Sequence, residues 1–153
     1  MVFVDTSVLL NLLDVPGNND RHQADVDTRD QLLDSGFLLI LPVTTVIETG
    51  NAIARDAGGL RHDRSRAFVE ILRATLSATS PWAASDVGLT NELLGAVLDG
   101  HQRAPGLRTL MTEGVGSGDA CILAEVAEYR TRISSAYPVR IWSHDRALSA
   151  YSG

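Results

Sequence analysis

The run Phe37-Leu38-Leu39-Ile40-Leu41 is apolar without a break. A strand with one wet face alternates apolar and polar residues, whereas a continuous run of this length is the pattern of a parallel strand covered on both faces. Shorter runs near the two ends, Met1-Val2-Phe3-Val4 and Val139-Arg140-Ile141-Trp142, read as strands over Val2 to Asp5 and Val139 to Trp142. Helix-compatible segments separate them. Val8-Leu9-Leu10 with Leu12-Leu13 is apolar nearly all round, and Thr6 or Ser7 can cap that helix. Pro16 to Asp20 is a loop, Arg21 to Ser35 is a polar helical stretch stopped by Gly36, and Pro42 begins a turn into a helix reaching about Ala57. Arg61 to Ala78 places Phe68, Ile71, Leu72 and Leu76 on one helical face. Residues 78–82 read as a short strand that Pro81 confines to an edge or an end. Leu89, Leu93 and Val97 mark another helix. Gln102 to Gly118 reads as a long irregular connection, the kind that is usually functional or mobile. Asp119 opens a helix with Ile122, Val126, Tyr129 and Ile133 on one face. Strands alternating with helices give an α/β fold with a central, mostly parallel sheet of four to five strands. With no repeat or linker in its 153 residues, the chain is expected to be one domain over 1–153.

Four acids sit where a strand is about to end or a helix is about to begin: Asp5, Glu48, Asp119 and Asp145. In open parallel sheets, ligands bind beyond the carboxyl ends of the strands. Asp5 and Asp145 lie there on this reading, Glu48 about two turns into the helix after the second strand, and Asp119 in the first turn of its helix. Each has a plainer role. Aspartate is a good N-cap, which suits Asp5; an acid in a first turn complements the helix dipole, which suits Asp119; Asp145 can start a turn; Glu48 can face solvent at a helix edge. Together they are a site for a hard divalent cation, magnesium or manganese rather than zinc, and such sites perform phosphoryl chemistry. His144 reads as a loop histidine, Cys121 as core, and the stretch Arg61 to Arg66 as a solvated helix face whose guanidinium forks also suit phosphate or carboxylate.

Composition narrows the chemistry. All 13 basic residues are arginine. The absence of lysine removes P-loop and Schiff-base mechanisms. A net charge of −6 argues against nucleic-acid binding through a broad basic surface, though not against a nuclease with an acidic centre. The N-terminus lacks a basic n-region and a cleavage site, and no apolar run approaches the roughly 20 residues needed to span a bilayer. A lone cysteine fits a reducing cytoplasm.

Val2-Phe3-Val4-Asp5-Thr6-Ser7, Leu41-Pro42-Val43-Thr44-Thr45-Val46-Ile47-Glu48, Ser117-Gly118-Asp119-Ala120 and Trp142-Ser143-His144-Asp145 together resemble a PIN domain, most closely the VapC toxins of prokaryotic toxin–antitoxin pairs. The resemblance implies a PIN-like three-layer sandwich. It implies that Asp5, Glu48, Asp119 and Asp145 gather one or two magnesium ions, with Thr6 and Ser143 supplying assisting hydroxyls. It further implies an endoribonuclease that hydrolyses RNA phosphodiester bonds without a covalent intermediate, a homodimer, and a cognate antitoxin whose basic side chain enters the acidic cleft. A non-catalytic PIN-like module that binds protein or RNA is the competing reading. A haloacid-dehalogenase phosphatase also starts with an acid-tipped strand, but it needs an aspartate where this chain has Ser7, and a later lysine.

Overall fold

Residues that are apolar on both sides of a strand need a cover on both sides of the sheet, and this chain supplies one from each half. In the computed structural model all residues are described except Ala57, Gln102, residues 134–136 and residues 152–153. The elements run β1 (Val2–Val4), α1 (Thr6–Leu12), α2 (His22–Asp34), β2 (Leu39–Leu41), α3 (Val43–Arg55), α4 (Arg61–Ala74), β3 (Trp82–Ala84), α5 (Asn91–Asp99), β4 (Gly100–His101), β5 (Ala104–Pro105), α6 (Leu107–Thr112), α7 (Ser117–Arg132), β6 (Arg140–Trp142) and α8 (Arg146–Ser149). The main sheet is parallel, in the order β3-β2-β1-β6.

Register sorts the side chains between the two faces. Val2 lies opposite Leu39 and Val4 opposite Trp142, and all four join the cluster built with Val8 and Leu9 of α1, Ile53 of α3 and Phe68 of α4. Phe3 lies opposite Ile40 and Ile141, and these three pack on the other face against Ile122, Val126 and Tyr129 of α7. The Phe3 and Tyr129 rings meet edge to face, 4.9 Å between centroids. A third cluster joins α5, α6, α7 and α8 through Leu93, Leu110, Leu123 and Leu148. The result is an α/β fold of three layers, with helices on both faces of a four-stranded parallel sheet.

Several boundaries differ from the sequence reading. Asp5, rather than Thr6 or Ser7, caps α1. The second strand starts at Leu39, and Phe37 instead lies under the Arg140 guanidinium, 5.2 Å from its ring centroid. The third strand is Trp82–Ala84, not 78–82. Pro81 has no N–H to give to a ladder, and its carbonyl instead accepts from Leu39 N at 2.8 Å just before the strand begins. The α4 helix stops at Ala74, which leaves Leu76 exposed rather than on the apolar face. The expected end of the preceding helix near Ala57 falls outside the described residues; α3 runs to Arg55. The stretch from Gln102, itself outside them, to Gly118 is not irregular. It holds β5, which pairs antiparallel with β4, then α6 and the start of α7. Among the described residues no helix is long and apolar enough to cross a membrane.

Candidate functional site

The chain leaves β1 in one direction, to β2 and then β3, and returns to the other side of β1 through β6. The strand order therefore reverses between β1 and β6. The crevice beyond the carboxyl ends of those two strands is where open α/β sheets hold ligands. Asp5 follows β1 directly, and its N–H donates to Trp142 O at the end of β6, 3.0 Å away.

Asp5 is buried, and its carboxylate is fully occupied on one oxygen only. Oδ2 accepts from Ser7 Oγ at 2.6 Å, from Ser143 Oγ at 2.8 Å and, at longer range, from Ser7 N at 3.4 Å. Among the described residues Oδ1 accepts only from Thr6 N, at 2.7 Å, which leaves it one lone-pair direction. Capping of α1 and a place in the site are thus compatible duties of one side chain.

Glu48 reaches the crevice because α3 is tied to β1. Thr45 is fully buried, and its hydroxyl donates to Val4 O at 3.0 Å, one residue before Asp5. One turn on, Glu48 is exposed, and its Oε2 accepts from Thr6 Oγ1 at 2.7 Å. Its Oε1 lies over Gly118, so closely that a β-carbon there would stand 2.3 Å from it. Glycine at 118 is what lets the first turn of α7 approach the Glu48 carboxylate.

Asp119 is the third residue of α7, and its carboxylate takes the Gly116 N–H at 3.2 Å. Its pKa is raised to about 6, by burial first, then by the Asp5 carboxylate, and further by Asp145 and Glu48, against the lowering effect of the Gly116 bond. The charged groups with the largest effect on Asp119 are thus the other three acids. Asp145 lies beyond the end of β6 rather than at its tip. It caps α8, accepting from Ala147 N at 2.7 Å and Leu148 N at 3.4 Å, and its own N–H donates to Ser143 Oγ at 2.9 Å.

Asp5, Glu48 and Asp145 are therefore all near enough to Asp119 to act on its charge, and Thr6 and Ser143 both bond to an acid. Among the described residues, no group of three or more His, Cys, Asp or Glu side chains is arranged so that it could hold a metal ion as it stands. Each of the four carboxylates accepts a hydrogen bond from a hydroxyl or an amide of the chain. The donor chemistry suits a hard cation, since all donors are oxygen and, after burial, the other three acids add to the rise in the Asp119 pKa. A cavity of about 770 Å³ lies elsewhere, between α5 and α7, and none of the four acids lines it.

Three participants were not legible beforehand. Ser7 bridges Asp5 and the β6–α8 loop, Gly118 makes room for Glu48, and Asp25 of α2 is buried against His144, with Oδ2 2.7 Å from Nε2. Gly118 and Ser7 stand beside predicted acids, a signal that neighbours of a candidate site can use; Asp25 carries no such signal.

Comparison of the chain with protein-family models, with curated proteins and with solved structures found no match.

Proposed function

We propose that this chain is a magnesium-dependent endoribonuclease of the PIN-domain kind, the toxin of a toxin–antitoxin pair. The observation that carries the reading is the gathering of Asp5, Glu48, Asp119 and Asp145, from four separate segments, around the switch point of the sheet. Capping alone accounts for Asp5 and Asp145. It does not account for Glu48, brought to the same crevice by the Thr45 tether and held beside Asp5 by Thr6.

An acidic site of this kind suits a polymer with a charged backbone once a cation is bound. Four carboxylates alone repel a phosphodiester. A divalent cation held by these oxygens supplies positive charge at the scissile phosphate and acidifies water. The chain's own residues prepare for it. Ser7 and Ser143 fix the rotamer of Asp5 and leave Oδ1 as the oxygen with capacity to spare. Thr6 holds Glu48 beside the first turn of α7, where its charge acts on Asp119. Cation uptake requires Asp119 to be ionised, so activity falls as pH drops through about 6. The partners this reading carries are RNA as substrate, an antitoxin segment that places a basic side chain among the carboxylates, and a second copy of the chain in a homodimer.

A second reading, a PIN-like module that binds RNA or protein without cleaving, is favoured by the engagement of every carboxylate with the chain's own donors. One experiment separates the two. Total RNA is incubated with the purified protein in magnesium and in a chelator, alongside Asp5→Asn. The nuclease reading expects cleavage in magnesium only, with Asp5→Asn reduced at least about 100-fold, the cost of losing one electrostatic group at a reaction centre. Equal cleavage by Asp5→Asn, or cleavage that survives chelation, refutes it. RNA binding without any cleavage installs the module instead.

A further inference from the structure

Helices that pack on a core normally bury apolar residues, yet the one buried residue of α2 is Asp25. It is 2 % exposed. A carboxylate taken out of water costs several kcal/mol unless it is paired and hydrogen-bonded. Its partner is His144 Nε2, at 2.7 Å, from a residue 119 positions away. An apolar residue at 25 would pack there without this cost, so the pair calls for a role beyond packing.

The role follows from what His144 is attached to. Its backbone N–H donates to Ser7 Oγ at 3.0 Å, and that hydroxyl donates onward to Asp5 Oδ2 at 2.6 Å. The residue before it, Ser143, donates to the same oxygen, and the residue after it, Asp145, donates its N–H to Ser143 Oγ. Each of the two hydroxyls thus accepts one backbone N–H from the β6–α8 loop and gives its proton to Asp5. If the loop shifts, Ser7 loses the His144 amide that orients it and Ser143 moves off Asp5 Oδ2, which leaves the carboxylate held by the Thr6 and Ser7 amides of α1 alone among these partners. The α2 side is itself tied to α1: Asn11 is buried, its Nδ2 donates to Ser7 O at 2.8 Å, and its Oδ1 accepts from Arg21 N at 2.9 Å.

We propose that Asp25 and His144 form a positioning pair that anchors the 143–145 loop to α2 and so fixes the rotamer of Asp5 and the place of Asp145 in the acidic crevice. Neither residue touches substrate in this scheme; both act through Ser7 and Ser143. The inference rests on the metallonuclease reading above and deepens it.

The test uses the full chain, with His144→Ala, Asp25→Ala, the double variant and His144→Gln. Manganese affinity is measured by calorimetry, and amide hydrogen exchange at 144 and 145 is measured in metal-free protein. Each alanine variant is expected to weaken manganese binding about 10- to 100-fold, the usual effect of removing an outer partner of a metal ligand, and to speed exchange of both amides. The double variant is expected to match the weaker single, since the two side chains act as one unit. His144→Gln, whose amide can still donate to Asp25, is expected to recover most of the affinity. A merely structural pair would lower Tm while leaving manganese affinity and these two amides as in the parent. That result overturns the inference and leaves the nuclease reading intact, as do losses that simply add in the double variant. A parent that takes up neither manganese nor magnesium overturns the metallonuclease reading, and the inference with it.

Discussion

A β-carbon at position 118 would meet Glu48 Oε1 at 2.3 Å, and that contact gives the site a test free of charge effects. The atom it strikes is the far end of an exposed, flexible side chain, so Glu48 can swing away and the fold need not yield. Alanine also suits a helix better than glycine, by roughly 0.5–1 kcal/mol. Gly118→Ala is therefore expected to leave Tm unchanged or slightly raised while weakening manganese binding about tenfold, as the displaced Glu48 loses its bond to Thr6. Calorimetric titration beside a thermal melt checks both signs; unchanged affinity would remove Glu48 from the site. The places of Asp5 and Asp119 were legible because their cues are local: each stands within a residue or two of an element boundary. Ser7 was not, because its part depends on a side-chain rotamer that bridges to His144 N. Asp25 was the least legible. Its helix reads as polar, and the partner of this one buried carboxylate comes from a loop at the far end of the chain.

Among the elements, the long buried runs declared themselves and the short ones did not. The parallel pairing of β1 and β2 was readable because both strands are apolar on two faces, a pattern few other structures tolerate. The β4–β5 pair has two residues a side, too few for any alternation to show, and glycines that read as loop are what bring its backbones together. Gly100 holds φ at +86°, and a β-carbon on it would sit 2.6 Å from Gly106 N. One on Gly106 would sit 2.3 Å from Leu98 O. Both obstacles are backbone atoms, so relief requires the end of α5 and β4 to move apart from β5 and the start of α6. Gly106→Ala is expected to cost about 1–3 kcal/mol, the range for overpacking, at roughly 2–4 °C of Tm per kcal/mol for a chain of this size. Because the atoms that the new β-carbon meets belong to Leu98 and Asp99 and to none of the four acids, manganese affinity should be retained. A melt equal to the parent's would show that the two backbone segments are not held in contact.

Over the whole molecule the acids divide by the direction of their shifts, and the division sets how stability varies with pH. Asp14, bonded to Asn19 and flanked by Arg64, and Asp86, bonded to Arg132, are held below the ordinary carboxylate range. Their contribution is present above the unfolded pKa and is lost as pH falls. Asp119 and Glu125 run the other way. Burial raises both, and Asp119 is pushed further by Asp5, Asp145 and Glu48. Glu125 is 1 % exposed, and its Oε2 has no hydrogen-bond partner among the described residues. For these two the folded state binds the proton more tightly than the unfolded chain does. Their contribution is complete below the unfolded values of 3.8 and 4.5 and is lost as pH rises, for Asp119 through about 6. Burial and Arg130 lower the His101 pKa, which adds stability over part of the same range as pH rises, so the acids must be read by difference. The Tm gap between Asp119→Asn and the parent, without metal, should be small at pH 4, widen through pH 6 and level off near pH 7. Discounted for the solvent that reaches a half-buried group, its height is about 1 kcal/mol, or roughly 2–4 °C. Glu125→Gln should show a gap of the same sign that opens from about pH 4.5. Magnesium at pH 7.5 should narrow the Asp119 gap, because a cation that binds only the folded cluster stabilises the parent by mass action. It should leave the Glu125 gap unchanged, since that carboxylate is not one of the proposed ligands. A gap for Asp119→Asn that is flat across this range would mean that the four carboxylates do not share one field.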